Sequence, residues 1–348
     1  MSGHPLQCRS PLFAWFASFA VAALLLLASG FCYYARHRER LFSEYADNLS
    51  VIGMLKANQI AEWRRERLAD SVRFAQGPAL SAPAAALMSN LGDEASRDSL
   101  LSMLVLNRKG GFYENTLFVP TNQAVHLEAV NVDNPLTPAT RAALAKAFET
   151  RSPVLSPIFK SGDGREHIDT VAPMCDASGQ PYAALVLRAD ASASLYPLIR
   201  FWPTESASAE TLLLERDGTN LVALSAFRYA ADSGAPARPP ITAQKTGDIR
   251  AILNARGVVH AKDYRSEEVL ADVRPIADAN WLLVTKIDAR EILSEIRTSA
   301  RAIAFITGLG ILLAAALTAS GYRYRQAALY RARYRAERDQ RMAHERFR

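Results

Sequence analysis

The chain has 348 residues, a formal net charge of +6, 49% hydrophobic and 22% charged residues, and three cysteines. That length holds one large domain or two small ones. Cys8, Cys32 and Cys175 lie far apart and Cys175 is alone in the middle of the chain, which excludes a disulfide framework there and leaves the fold to its core.

The apolar residues are concentrated in two runs. Residues 12–34 and 302–322 carry no charge, and Arg301 and Arg323 bracket the second run. About 20 apolar residues cross the ~30 Å hydrocarbon layer as a helix. Both runs therefore read as transmembrane helices, not as amphipathic core helices. A cleaved signal peptide is the competing reading of the first. Its apolar run exceeds the roughly 7–15 residues of such a segment, and no A-x-A site follows. Phe31 before Cys32 argues against a lipoprotein site.

Residues 323–348 hold nine arginines against Glu337, Asp339 and Glu345, whereas residues 35–301 hold 31 basic and 32 acidic side chains. The positive-inside rule places 323–348 in the cytoplasm, so 1–11 is cytoplasmic too and 35–301 is translocated. Arg36, Arg38 and Arg40 pull the other way, but long translocated domains are less bound by the rule. Contact with membrane lipid accounts for the arginine cluster without nucleic-acid binding.

After the first span comes a stalk helix over 36–75, free of proline, with Gly53 as its one glycine. Phe42, Tyr45, Leu49 and Ile52 recur at spacings of three and four, as in a dimeric coiled-coil seam. Lys56, Gln59, Trp63, Glu66 and Asp70 continue the stripe, and Gly77-Pro78 ends the helix. Residues 79–92 read as a short helix or loop. Leu104 to Leu106 and Phe112-Tyr113, joined through Gly110-Gly111, read as a hairpin. Residues 137–150 read as a helix with Thr137 as N-cap and Pro138 in its first turn. Residues 167–172 and 180–189 read as neighbouring strands.

A second module follows. It has a hairpin around Arg216-Asp217-Gly218, a loop at 234–240 and a short helix at 249–255. Strands at 258–261, 269–275 and 281–287 come next, then a helix from Ala289. The modules repeat. Leu185 to Leu195 matches Leu283 to Leu293 at a spacing of 98 residues, and Arg108/Gly110 corresponds to Arg216/Gly218. Each module ends with a strand, an aspartate and a helix, so Asp190 and Asp288 suit N-caps.

The stalk residues Gln59-Ile60, Trp63, Glu66-Arg67 and Asp70, the two modules, and Trp281 to Asp288 before a second span form a pattern. It resembles the double Cache extracytoplasmic sensor family of bacterial transmembrane signalling proteins. Leu195 to Ile199, Phe201-Trp202-Pro203 and Ser206 to Leu214 are similar to the inter-module connection in a proteobacterial branch. The resemblance covers 36–301 and both spans. It implies an α+β fold in which the stalk helix carries two tandem PAS-like antiparallel sheets. The distal module would occupy about 95–200, with the ligand pocket, and the proximal module about 208–290. It also implies a homodimer in the bacterial inner membrane and a cytoplasmic output domain or partner protein. The Arg-x-Trp-Tyr signature of the amino-acid-binding branch is missing: Ala142-Ala143 follow Arg141 and Ser152-Pro153 follow Arg151.

Within the distal module the polar candidates for ligand contact are Tyr113, Arg151, Lys160, Arg165, His167 and Asp169, with Cys175 nearby. Arginine or lysine would hold an anion through charge-assisted hydrogen bonds. The competing reading is solvated loop charge beside Gly162 and Gly164. The six histidines are not at metal-ligand spacing, and no G-x-S-x-G, H-E-x-x-H or phosphate-binding loop occurs. No metal, cofactor or catalytic domain is expected. His344-Glu345 lacks the residues that follow a kinase phospho-acceptor histidine, so 327–348 reads as a linker helix. A fragment of a diguanylate cyclase or histidine kinase has this form. The expected function is a transmembrane sensor of an extracytoplasmic small molecule. A membrane-anchored binding or scaffold protein without output is the alternative.

Overall fold

The computed structural model describes residues 11–109, 111–122, 127–132, 134–162, 164–217, 220–225, 227–229 and 257–346. The readings at 234–240 and 249–255 lie outside these residues. The elements begin with three helices, α1 (Pro11–Gln76), α2 (Pro78–Ser89) and α3 (Glu94–Lys109). Strands β1 (Asn115–Pro120) and β2 (Leu127–Glu128) lead to helix α4 (Pro138–Thr150). Then come β3 (Val154–Leu155), β4 (Phe159–Lys160), β5 (Glu166–Cys175) and β6 (Pro181–Asp190). Short helices α5 (Ala191–Ser194) and α6 (Tyr196–Arg200) connect to β7 (Glu210–Asp217) and β8 (Asn220–Ala223). The chain ends with β9 (Gly257–Lys262), β10 (Glu268–Pro275), β11 (Trp281–Asp288) and helix α7 (Ala289–Arg346).

Two units result. One comprises the chain up to Tyr45 and from Arg290 onward; the other is Ala46–Ala289. In the first, both helices carry an 18-residue apolar window that is 0% buried, long and apolar enough to cross a membrane. They approach closely at glycines. A Cβ on Gly30 would lie 2.7 Å from Thr307 Oγ1, and one on Gly321 would lie 2.9 Å from the Trp15 ring. Outside the apolar runs, the Tyr45 hydroxyl donates to Glu295 at 2.5 Å. That carboxylate, helped by burial, pushes the Tyr45 pKa up to about 12.

The second unit holds two antiparallel sheets of one plan. The first runs β2-β1-β6-β5-β3, with β4 also on β5; the second runs β8-β7-β11-β10-β9. In each, a long hairpin (β5–β6, β10–β11) fills the centre. Gly179, at φ +78°, closes the β5–β6 turn, where Asp176 Oδ1 accepts from the backbone of Ser178 and Gln180.

Side chains alternate along a strand, so each sheet has two faces. On β6, Ala183, Leu185, Leu187 and Ala189 enter the core beneath α1–α3, whereas Ala184 and Val186 meet Ala143, Leu144 and Ala147 of α4. The core under α1 also takes in Leu213 and Leu283 of the second sheet. Gly53 lets α1 approach that sheet: a Cβ there would lie 2.2 Å from Asp272 Oδ2. Asp272 is fully buried and takes Arg274 Nε at 2.6 Å, while Arg274 Nη2 donates to Ser50 of α1.

The strand readings from 167 onward, the stalk end at Gly77 and the Thr137 cap agree with the structure. Thr137 Oγ1 accepts from Thr140 N at 3.2 Å. Four readings are corrected. Residues 104–109 are helix, not hairpin, because Leu100 and Leu104 sit one turn apart on the buried face of α3. The Arg108/Gly110 to Arg216/Gly218 correspondence therefore fails, while the strand–Asp–helix repeat stands. Leu49 and Ile52 pack inside their own chain, and Val51, Met54 and Leu55 are the exposed apolar residues on that stretch. The polar stripe shifts as well: Lys56 and Arg67 are buried, Gln59 and Glu66 exposed.

Candidate functional site

The face of the first sheet that meets α4 is polar at one end. Pairing sets Asn115 and Asp169 on either side of Arg188, and alternation turns all three, with His167, to that face. A cavity of about 470 Å³ opens there. Arg108, Arg165 and Arg188 line it with Tyr113, Glu114, Asn115, Ser161 and His167, and Val130 and Val132 supply apolar wall.

Arg188 is buried and multiply held. Its Nε and Nη2 donate to the two oxygens of Asp169 at 2.8 and 2.9 Å, and Nη2 also reaches the Pro135 carbonyl at 2.7 Å. The guanidinium lies over the Phe159 ring, 5.0 Å from its centroid. Thr140 Oγ1, from α4, donates to Asp169 Oδ2 at 2.6 Å. The pair is thus satisfied from the sheet and from α4. Glu114 joins Arg165 and His167 Nε2, while the buried His167 Nδ1 meets no partner among the described residues. Arg108 Nε donates to the Glu114 carbonyl at 2.9 Å. Burial pushes the Tyr113 phenol up to about 12.

Of the six residues singled out from the sequence, Tyr113, Arg165 and His167 line the cavity. Asp169 stands behind Arg188 and is its counter-ion. Arg151 lies elsewhere, as the left-handed C-cap of α4, and bonds Gln180. Lys160 is exposed on β4, and Cys175 is exposed at the end of β5. Sequence reasoning missed Arg108, Glu114, Asn115 and Arg188. The one readable signal was Arg188, a charge set into the apolar run of 183–189.

The repeat places Lys286 of β11 where β6 has Arg188. Lys286 is 1% exposed. It pairs with both Glu210 at 2.9 Å and Asp263 at 2.5 Å, beneath the Tyr264 ring. Arg265 pairs with Asp263 and with Asp288, the residue before α7. Burial and Glu210 hold the Tyr264 hydroxyl well above its ordinary range. Among the described residues this face of the second sheet carries a network of ion pairs.

The two modules meet at α6. Lys56 of α1 is buried and donates to the carbonyls of Leu198, Ile199 and Phe201 at the C-terminal end of α6. Burial pulls its pKa down to about 8. Asp190 caps α5, accepting from Ser192 N at 2.6 Å.

No protein-family model and no curated protein matches the chain. Solved structures do. The ligand-binding domain of the Pseudomonas aeruginosa amino acid chemoreceptor PctB, in complex with L-Arg, aligns with a TM-score of 0.54 at 14% identity, over 78% of this chain and 99% of that one. That of PctC from the same organism, with GABA, gives 0.51 at 16% identity over 70% and 100%. That of CtaA from Pseudomonas fluorescens, with L-isoleucine, gives 0.51 at 12% over 74% and 98%. Likeness at such identity is a statement about fold: one long helix carrying two successive antiparallel sheets, the double Cache fold, is the fold of this chain.

Proposed function

We propose that the chain is a two-pass inner-membrane sensor whose distal module, about 95–200, binds a small organic anion outside the cytoplasm. The observation that carries this reading is the charge around the first cavity: among the described residues three guanidinium groups, Arg108, Arg165 and Arg188, line it against one lining carboxylate, Glu114, with Asp169 behind Arg188 and Asp190 3.8 Å from Arg165. A carboxylate ligand would gain charge-assisted hydrogen bonds there. The equivalent cation of the other module, Lys286, is matched by two carboxylates where Arg188 has one, Asp169. The structural neighbours were solved with amino acids. An amino acid also needs an acidic group for its ammonium, and Arg188 engages both oxygens of Asp169. This favours an anion without a neighbouring ammonium.

In this reading residues 12–34 and 302–322 span the membrane and 1–11 and 323–348 are cytoplasmic. The proximal module, about 208–290, passes the bound state through α7 to a cytoplasmic output. The exposed stripe of Val51, Met54 and Leu55 supports pairing of two copies along the stalk. Ligand shifts such a receptor only by its differential affinity for the two arrangements.

Calorimetric titration of the full chain in nanodiscs with succinate, and with neutral succinamide, tests the site. Succinate is expected to bind and succinamide not. Arg165→Gln is expected to weaken succinate about tenfold or more, the loss of one hydrogen bond to a charged group. Equal binding of both probes, or no effect of Arg165→Gln, contradicts the anion reading.

A further inference from the structure

A second cavity, of about 570 Å³, lies between the α6 connector and the start of the second sheet, apart from the site above. Its size is that of a small-molecule pocket. Three aromatic side chains line it: Tyr196, Trp202 and Phe227. Tyr196 and Phe227 are buried, so these walls are fixed in place. Arg200 and Arg228 supply positive charge. Arg200 is exposed, lies over the Tyr196 ring and forms no ion pair among the described residues. Arg228 uses Nη1 on the Ala209 carbonyl and its backbone N–H on Glu210.

Among the described residues the one acidic lining residue, Glu210, is spent. It is paired with Lys286 at 2.9 Å and accepts from the Tyr264 hydroxyl at 3.1 Å. Thr211 gives a second, independent indication. It lines the cavity, is only 8% exposed, and its Oγ1 has no hydrogen-bond partner among the described residues. A buried hydroxyl left unpaired costs free energy that a ligand acceptor would recover.

We infer that this cavity is a second ligand site, which takes an aromatic carboxylate: the ring between Trp202 and Phe227, the carboxylate on Arg200 and the Thr211 hydroxyl. The aromatic walls select a flat ring by stacking, and the guanidinium selects the anion. Its occupant touches α6, whose end Lys56 holds to α1, and β7 of the second sheet at once.

Full-length protein in nanodiscs, titrated with 2-naphthoate, 2-naphthamide and octanoate against empty nanodiscs, tests this. Saturable binding of 2-naphthoate, with both other probes at least about tenfold weaker, is expected. Arg200→Gln and Thr211→Val are each expected to weaken 2-naphthoate about tenfold or more. Thr211→Val is also expected to keep or raise the thermal midpoint, since it removes an unpaired buried hydroxyl, so its binding loss is not a folding loss. Arg165→Gln, at the other cavity, is expected to leave 2-naphthoate binding unchanged. The inference is overturned by absence of saturable 2-naphthoate binding, by wild-type affinity in Arg200→Gln, or by loss of binding in Arg165→Gln. Octanoate binding as tightly as 2-naphthoate overturns the aromatic assignment.

Discussion

Replacing Asp169 by alanine exposes what holds the polar end of the first sheet together. Asp169 is 0% exposed and accepts from Arg188 Nε, Arg188 Nη2 and Thr140 Oγ1 at 2.8, 2.9 and 2.6 Å. Removing it leaves a buried guanidinium with one carbonyl acceptor, Pro135, and the Thr140 hydroxyl. Breaking a buried ion pair from one side costs about 3–5 kcal/mol. For a unit of roughly 250 residues that lowers the melting midpoint by about 6–20 °C. Removing both charges is far cheaper than the two single changes combined, because no unpaired ion remains. A double-mutant cycle of Asp169→Ala, Arg188→Met and the combined variant, melted in nanodiscs and followed by tryptophan fluorescence, measures the coupling. A coupling of about 2 kcal/mol or more is expected for groups in direct contact. If Asp169→Ala costs less than about 1 kcal/mol, or the combined variant loses the sum of the singles, the pair is not the anchor described here.

Three further outcomes are expected. Gly53→Ala places a carbon 2.2 Å from Asp272 Oδ2, which Arg274 fixes at 2.6 Å. It should destabilise by about 1–3 kcal/mol by overpacking, with partial rescue by Asp272→Ala; an unchanged melting point refutes the close packing of α1. Lys56 has its proton affinity lowered from 10.5 to about 8 on folding, chiefly by burial. The unfolded chain then holds more protons between those values, so stability rises with pH across that window and is lost as pH falls through it. The slope, at most about 1.4 kcal/mol per pH unit, should be absent in Lys56→Met. Reporter fusions at position 150 and at the C-terminus should report different compartments, and agreement between them removes the proposed topology.

The second sheet was the most legible part of the sequence. Its strands are apolar runs cut by Pro275, Asp278 and Asn280, so β10 and β11 fall within a residue or so of the reading. Thr137-Pro138 was legible because N-caps are local chemistry. The stretch 104–113 was not. Gly110-Gly111 imitates a hairpin turn, and only the packing of Leu100 and Leu104 decides for helix. The site was half legible. Arg165 and His167 stand out as polar groups near predicted strands. Arg188 acquires its role from Asp169 across a strand pair and from Thr140 on another element, and long-range pairings of that kind leave no mark on spacing. Arg151 and Lys160 have the right chemistry but sit at a helix end and a sheet edge.

The core beneath α1 does not stop at the boundary between the sheets: Leu185 and Phe118 belong to it, and so do Leu213, Trp281 and Leu283. Neither half therefore owns a complete interior. Cutting the chain after α6 would leave Trp281 and Leu283 facing water on one fragment and uncover part of the apolar face of α1 on the other. The pair should melt in a single cooperative step, not as two beads on a string, and a fragment carrying one sheet alone should aggregate.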